Sequence, residues 1–208
     1  MPAIRTVAKN FLIKGCGLRH LHGSKTSKLI RSVLDEIDLQ HVRDSHPCQS
    51  FATREQMYDY VHEISIKGEA IDYLEFGVFQ GESIRYWANL NKNGNSRFFG
   101  FDSFEGLPEG WQDLPKGHFD VGGDFPRIDD VRVNFVKGWF VKTIPAFARE
   151  LSVKNRLVLH MDADLYSSTM LVLVHLGPFL SKRDLIMFDE FGDREHEVRA
   201  LRDWQTIY

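Results

Sequence analysis

The sequence predicts an α/β fold in which a mostly parallel sheet is covered by helices on both faces, giving three layers. From residue 71 onward, short apolar runs alternate with stretches of helical periodicity, as in parallel strands joined by crossover helices. Four of the five apolar runs also stop at an acid, namely Glu75, Asp102, Asp162 and Asp189. The carboxyl ends of parallel strands meet at one edge of the sheet, so we expect these four acids to converge on a ligand crevice.

Composition agrees with one domain. A chain of 208 residues can bury its own core without a disulfide or a structural metal. Cys16 and Cys48 are far apart and have no metal-ligand spacing, which favours free thiols and a cytoplasmic location. No apolar run approaches the roughly 18 to 20 residues of a membrane span, and Arg5, Lys9 and Lys14 interrupt any signal-peptide core. We therefore expect a protein without membrane contact.

The first 31 residues hold seven basic side chains and no acid, whereas the whole chain has a net charge of -3. We divide the chain into a basic N-terminal arm or lid, residues 1–50, and one domain, residues 51–208. The arm contains one predicted helix, from Lys28 to Leu39, whose apolar residues share a face. An arm folded against the acidic body is favoured over contact with nucleic acid or membrane, and a transit peptide is a weaker alternative.

The elements of the domain follow in order. Thr53 and Gln56 have the spacing of a capping box, which predicts a helix running to about Ile66. The first strand is Ile71–Phe76 and is followed by a helix at Glu82–Leu90. Further strands are expected at residues 97–101, 131–136, 157–161 and 185–188, with helices after Leu165 and over residues 194–204.

A long loop separates the second and third predicted strands. Residues 103–130 contain five glycines and three prolines together with Phe104, Trp111, Phe119 and Phe125. A loop of this length in a compact domain is either disordered or functional, and the aromatic content favours a lid that orders over a ligand.

The turn after the first strand has two glycines, Gly77 and Gly81, just before a helix. Glycines at a strand end allow backbone to approach a ligand, and the following helix start offers free N–H groups, as in nucleotide-binding βα units. An ordinary tight turn has the same appearance. The spacing lacks the middle glycine of the dinucleotide fingerprint, which disfavours a nicotinamide oxidoreductase.

Two acids of the predicted crevice suit a nucleoside cofactor. Asp102 ends the second strand about 25 residues after Gly77, where a carboxylate accepts hydrogen bonds from both ribose hydroxyls. Glu75 either fixes the glycine turn or meets a charged cofactor tail; the alternative is a solvated residue at the strand end.

A second set of acids suits a hard divalent cation. Asp162, Asp189 and Glu190 follow neighbouring strands, and Mg²⁺ takes a few carboxylates while leaving positions for water and substrate. Asp164 is held in reserve, since it could instead cap the helix that follows, and Glu190 could simply face solvent.

From about residue 50 onward the chain resembles the macrocin O-methyltransferase family (TylF/MycF type). These are class I enzymes with a Rossmann-like three-layer sandwich that use S-adenosylmethionine and Mg²⁺ to methylate sugar hydroxyls of natural products. Four blocks in the same order carry the resemblance: Leu74-Glu75-Phe76-Gly77-Val78-Phe79-Gln80-Gly81, Phe99-Gly100-Phe101-Asp102-Ser103-Phe104-Glu105-Gly106-Leu107-Pro108, Lys137-Gly138-Trp139-Phe140, and Asp162-Ala163-Asp164-Leu165-Tyr166-Ser167-Ser168-Thr169 with Phe188-Asp189-Glu190.

The resemblance implies roles for individual residues. The methionine end of the cofactor is assigned to Glu75, Gly77 and Gly81, and the ribose to Asp102 and Ser103. Val78 and Ser83 are also expected to bind the cofactor, and Mg²⁺ is assigned to Asp162, Asp189 and Glu190. The implied mechanism is in-line methyl transfer to a hydroxyl that the metal has activated.

The catalytic base is less defined. Asp162 matches the position proposed as base, although a carboxylate on a metal is a poor proton acceptor, so we favour its ligand role. His118, His160 and His196 are the other candidates, and for His160, inside an apolar strand, a core histidine is favoured.

The chain departs from the family pattern in two ways. Glu190 stands where the family often has Asp. After the fifth strand the sequence given holds one helix and then ends, so the C-terminal antiparallel strands are apparently missing, and the open edge could be covered by the arm or by a second copy in a homodimer. The leading hypothesis is a metal-dependent O-methyltransferase of a hydroxylated small molecule. The alternative is a catalytically incomplete protein that binds adenosyl cofactor or a partner.

Overall fold

The computed structural model describes residues 51–191 and 195–207. The predicted N-terminal arm and its helix lie outside these residues. The described part contains a five-stranded sheet of order β3-β2-β1-β4-β5, in which every pairing is parallel. The strands are β1 Ile71–Phe76, β2 Arg97–Asp102, β3 Val133–Lys137, β4 Arg156–Met161 and β5 Leu185–Phe188. The helices are α1 Arg54–Val61, α2 Glu82–Leu90, α3 Phe140–Glu150, α4 Tyr166–Leu176 and α5 Glu197–Ile207.

Helices cover both faces of the sheet, which confirms the three-layer α/β sandwich. Strand side chains alternate between the faces: Tyr73 joins the cluster under α1 and α2, whereas Leu74 joins the cluster under α3, α4 and α5. All six residues of the central strand β1 are buried. Because β1 pairs with β2 on one side and β4 on the other, its end fixes the positions of both neighbouring strand ends.

Most predicted elements are confirmed. The bounds of β1, α2 and β5 match the sequence prediction, and Thr53 accepts a hydrogen bond from the Gln56 N–H at the start of α1. The stretch His62–Ile66 continues α1 as a π-helical turn. Strand β3 begins two residues later than predicted, since Val131 is fully exposed.

Two helices differ from expectation. No helix was predicted over Phe140–Glu150, a segment that contains Pro145. In α4 the N-cap is Leu165 and makes no side-chain capping bond, so Asp164, which the sequence offered as an alternative cap, is not the N-cap residue. Asp164 instead adopts a left-handed conformation with φ of 58°.

The loop between β2 and β3 is ordered. Two isolated antiparallel bridges, Glu105 with Asp120 and Trp111 with Leu114, fold it back on itself. Leu107 and Trp111 are buried against Leu165 at the start of α4. The loop therefore lies over the carboxyl ends of the strands and lines the cavity that they border.

Among the described helices, none has both the length and the apolar character needed to cross a bilayer.

Candidate active site

The carboxyl ends of the strands border a cavity of about 580 Å³, a size typical of cofactor and substrate sites. Its floor comes from the turns after β1, β2, β4 and β5, and one wall comes from the start of α3. The long loop forms the rim. Polar and charged groups concentrate on the floor, whereas Leu107, Trp111, Phe119 and Trp139 give the upper walls an apolar character.

The glycine turn after β1 lies directly against β4. Gly77 has φ of +95°, and a Cβ atom there would be 1.8 Å from the carbonyl oxygen of Asp162. Only glycine fits such a position, because both the conformation and the contact exclude a side chain. The turn is further held by Asp102, whose Oδ2 accepts hydrogen bonds from the N–H groups of Val78 (2.8 Å) and Phe79 (2.9 Å).

An acid pair forms the centre of the floor. Asp162 and Asp189 follow β4 and β5, and their carboxylate oxygens lie within 4.8 Å of each other and of a ring nitrogen of His160. Two carboxylates with open positions beside them suit a hard divalent cation such as Mg²⁺. The donor set of the described residues therefore fits the metal that the family pattern implies.

Arg54, the first residue of α1, lies beside this pair. Its Nη1 is 3.6 Å from Asp162 Oδ2 and its Nη2 is 3.9 Å from Asp189 Oδ2. Nη1 also donates to Ser83 Oγ at 3.2 Å, and Ser83 Oγ accepts a second hydrogen bond from the Tyr58 hydroxyl at 3.3 Å. The guanidinium group is thus a counter-ion for the two carboxylates.

Burial controls the electrostatics of the floor. Burial raises the pKa of Asp162 well above its usual range, the negative charges of Asp189 and Asp164 raise it further, and Arg54 opposes them. Burial also raises the pKa of Glu197, with Asp189 adding to the effect. This accumulation of negative charge favours any incoming cation.

Glu197, at the start of α5, connects two loops of the floor. It is fully buried, and its two carboxylate oxygens accept from the backbone N–H groups of Ala163 (3.4 Å) and Glu190 (3.1 Å). The residues after β4 and β5 are therefore held in a fixed relation by a side chain from a third element.

A buried polar network lies beneath the acid pair. Tyr73 donates to Glu75 Oε2 at 2.5 Å, so its oxygen accepts from His160 Nδ1, 2.7 Å away. This arrangement leaves the lone pair on His160 Nε2, which lies 3.4 Å from the Tyr58 hydroxyl. His160 is fully buried, which confirms the prediction of a core histidine, although its ring also belongs to the potential metal-ligand cluster.

Three residues that line the cavity, two of them aromatic, have a strained backbone conformation. Phe79, Phe119 and Asp164 have positive φ values of 49°, 67° and 58°, and all three line the cavity. The Phe79 and Phe119 rings meet with centroids 5.5 Å apart. Such conformations persist only where surrounding structure imposes them, and they often mark functional sites.

The structure brings most, but not all, of the predicted residues together. Gly77, Asp102 and Ser103 line the cavity, whereas Val78, Gly81 and Ser83 do not. Glu75 is 1% exposed, so the interpretation as a solvated residue is wrong, and it does not reach the crevice that the other three strand-end acids share. Its side chain is directed into the network under α1 and α2.

The three predicted metal ligands do not all belong to one cluster of ligand atoms. Asp162 and Asp189 lie together, but Glu190 lines the cavity without belonging to the cluster of ligand atoms. The other histidine candidates are elsewhere: His118 packs against Phe119 in the loop, and His196 accepts from the Tyr166 N–H at 3.3 Å.

Sequence analysis missed Arg54, Tyr58 and Glu197. One indication was available for Arg54, since a basic side chain in the first turn of a helix opposes the helix dipole and needs another partner. Nothing in the local pattern identified Tyr58 or Glu197, because both lie in helices and their contacts with the site arise only from tertiary packing.

A sequence model of the family described as Macrocin-O-methyltransferase (TylF) matches residues 52–207, the whole of the described domain. The chain belongs to the TylF family. Among curated relatives of this TylF chain is the 8-demethyl-8-(2,3-dimethoxy-alpha-L-rhamnosyl)-tetracenomycin-C 4'-O-methyltransferase of Streptomyces olivaceus. It is 31% identical over 168 residues, which cover 67% of this chain and 62% of that protein.

A second relative is the Mycinamicin III 3''-O-methyltransferase of Micromonospora griseorubida, 31% identical over 144 residues that cover 58% of this chain and 55% of the relative. The TylF chain thus spans about three fifths of the length of these curated relatives. Among solved structures, the calicheamicin methyltransferase CalS11 superimposes with a TM-score of 0.62 at 21% identity, covering 88% of this chain and 86% of that one. This similarity supports the fold.

Proposed function

We propose that this TylF-family chain is an S-adenosylmethionine-dependent O-methyltransferase that uses Mg²⁺ and methylates a hydroxyl of a small molecule, such as a sugar of a natural product. The observation that carries the proposal is the acid pair Asp162 and Asp189 beside the glycine turn at Gly77, on the floor of one cavity. The named activities of both curated relatives, a rhamnosyl 4'-O-methyltransferase and a 3''-O-methyltransferase, support the class of acceptor.

The cavity offers complementary ends to the cofactor. Asp102 and Ser103, at the end of β2, would bind the ribose, and the apolar wall at Trp139 and Phe140 would accept the adenine. The methionine tail would lie along the turn at Gly77. Bound there, S-adenosylmethionine supplies an electrophilic methyl group on a positively charged sulfur.

The acid pair would hold the cation. Asp162 and Asp189 would ligate Mg²⁺, with Glu190 as the third ligand that the family pattern predicts. The cation would supply Lewis-acid polarisation of an acceptor hydroxyl and hold it in position. Glu197 contributes by fixing the backbone on both sides of these ligands.

The reaction transfers one methyl group. In such a transfer the carbon–sulfur bond of the cofactor would break and a carbon–oxygen bond to the acceptor would form, giving a methyl ether and S-adenosylhomocysteine. The hydroxyl proton would leave to a base; Asp162 matches the position that the family pattern gives to the base, but its role as a metal ligand is the one we favour. Phe79, Trp111 and Phe119 line the same cavity and would help to shield the reacting groups from water once the ligands are bound.

Transfer of labelled methyl from S-adenosylmethionine to a panel of glycosides, with and without a chelator, tests the proposal. We expect chelator-sensitive labelling of at least one glycoside and loss of labelling in Asp189→Asn. Labelling that the chelator does not affect would refute the role of the metal, whereas cofactor binding without any labelling would support a protein that only binds adenosyl cofactor.

The remaining expectations concern the whole protein. A cytoplasmic location and a homodimer stay predictions from the sequence. Light scattering coupled to size exclusion measures the second directly.

A further inference from the structure

The charges around the cavity are strongly unequal. Among the described residues that line it, five are acids and one is basic. The acids are Asp102, Asp162, Asp164, Asp189 and Glu190, and the basic residue is Arg54. An S-adenosyl cofactor has one anionic group, the carboxylate of its amino-acid tail. Within the described cavity, Arg54 is the side chain that can neutralise that carboxylate.

The geometry of Arg54 suits such a role. Its side chain is 37% exposed, and the hydrogen bond to Ser83 fixes one edge of the guanidinium group. The distances to Asp162 and Asp189, 3.6 and 3.9 Å, exceed the 2.7 to 2.9 Å of a direct charge-assisted hydrogen bond. The guanidinium therefore stabilises both acids by proximity and retains donors for a carboxylate that enters the cavity.

The same position creates a conflict with a metal ion. A divalent cation between Asp162 and Asp189 would occupy the space next to a guanidinium that already neutralises these acids. Like charges at such a distance repel, and the guanidinium and the cation would compete for the same two carboxylates, so a further anionic partner for Arg54 would favour binding of the cation. The carboxylate of the cofactor is such a partner, and it enters through the same cavity.

We propose that Arg54 binds the carboxylate of the cofactor's amino-acid tail, and that its turn toward that carboxylate releases Asp162 and Asp189 for a divalent cation. Cofactor and cation then bind cooperatively, and the coupling is reciprocal by thermodynamic necessity. The inference rests on the proposed function, because it requires both ligands to bind this cavity.

Calorimetric titration of the full chain with S-adenosylhomocysteine and with MgCl₂ tests the coupling. We expect saturating Mg²⁺ to tighten binding of S-adenosylhomocysteine about fivefold or more, and the reverse titration to give the same factor. The matched probe is 5'-methylthioadenosine, which keeps the nucleoside and the sulfur but lacks the amino-acid tail. Its affinity should not respond to Mg²⁺ in this way.

A substitution of Arg54 tests its contribution to binding of the cofactor's amino-acid tail. In Arg54→Gln we expect S-adenosylhomocysteine affinity to fall about tenfold or more, with 5'-methylthioadenosine affinity unchanged and Mg²⁺ alone bound at least as tightly as in the wild type. Arg149→Gln, a change of the same kind at an exposed position at the end of α3, should leave all three affinities unchanged.

Three outcomes would overturn the inference. The first is independent binding of Mg²⁺ and S-adenosylhomocysteine in the wild type, and the second is an equal loss of affinity for both nucleosides in Arg54→Gln. If neither Mg²⁺ nor S-adenosylhomocysteine binds the wild-type chain, the proposed function fails together with the inference. The comparison of the two nucleosides in the wild-type chain needs no variant, so it decides the coupling even if Arg54→Gln does not fold.

Discussion

Asp162 and Asp189 lie close enough to share one cation, and the structure places them on separate strand ends. Replacing one carboxylate therefore removes one of the negative charges that face the ion while leaving the strands in place. In Asp162→Asn we expect the affinity for Mg²⁺ to fall at least about tenfold, as measured by calorimetry in the absence of cofactor. Unchanged Mg²⁺ affinity would show that the ion binds elsewhere.

A matched variant controls for the loss of one negative charge from the protein. Asp129→Asn makes the same substitution at an exposed position of the long loop that does not line the cavity. We expect its Mg²⁺ affinity to equal that of the wild type. A loss in both variants would indicate an effect of net charge rather than ligation.

At the scale of residues, the strand-end acids were predictable because their positions follow from the sheet alone. Asp102 is the last residue of β2, Asp162 and Asp189 come directly after β4 and β5, and all three line the cavity. Glu75 was misplaced because it lies within β1, where alternation directs its side chain to the face under α1 and α2. The position of Arg54 depends on how α1 packs across the sheet, which no local pattern specifies.

At the scale of elements, the turn between β1 and α2 links the cofactor site to the acid pair. Gly77→Ala would place a Cβ atom 1.8 Å from the Asp162 carbonyl oxygen, so the end of β4 would have to move. We expect a loss of about 3 kcal/mol or more in the free energy of unfolding, measured by urea denaturation.

Gly68→Ala separates strain from contact. Gly68 also has positive φ, +74°, but a Cβ atom there would meet nothing within 4 Å. Gly68→Ala should therefore lower the free energy of unfolding by about 1 kcal/mol, the cost of placing alanine in a left-handed conformation. Equal destabilisation by the two substitutions would contradict the close packing of the glycine turn on β4.

Asp72 on β1 joins three elements at the opposite end of the sheet. It is fully buried, pairs with Arg97 of β2 at 2.5 Å, and accepts from the backbone N–H groups of Lys154 and Asn155. Burial alone would raise its pKa, but these hydrogen bonds outweigh burial and lower it below the usual range. A carboxyl whose pKa is lowered on folding stabilises the fold above its unfolded pKa and loses that contribution as the pH falls through its folded pKa.

Asp72→Asn should therefore lower the free energy of unfolding by roughly 3 kcal/mol at neutral pH. It should also make that free energy less dependent on pH on the acid side, as measured by urea unfolding between about pH 2 and 7. Asp203→Asn, which alters a partly exposed partner of Arg199 on α5, should change stability by less than about 1 kcal/mol. If the free energy of unfolding fell with decreasing pH equally steeply in Asp72→Asn and in the wild type, the role of this residue would be refuted.

The elements themselves were largely predictable because apolar runs and helix caps are local. Strands β1 and β5 and helix α2 have the predicted bounds. Helix α3 was missed because Pro145 within it is a helix breaker by propensity, whereas tertiary packing of Ile144, which is fully buried, holds the helix together. The order of the long loop depends on contacts with Leu165, which lies 58 residues from Leu107 in sequence.

At the scale of the whole molecule, the cavity joins the turns of four strands, a wall from α3 and the rim of the long loop, so a ligand that fills it should stabilise all of them together. Ligand binding to the folded state alone adds about 2.7 kcal/mol at a hundredfold excess over Kd. The three-layer architecture was predictable from the alternation of elements. The charge balance of the cavity was not, because it depends on side chains from α1 and α5 as well as the strand ends.

The central claim is that this cavity binds an S-adenosyl cofactor, and calorimetric titration with S-adenosylhomocysteine tests it without knowledge of the methyl acceptor. We predict saturable binding of S-adenosylhomocysteine to one site per chain and no heat of binding with NAD. An absence of binding by S-adenosylhomocysteine at millimolar concentration, or saturable binding of NAD, would contradict the account.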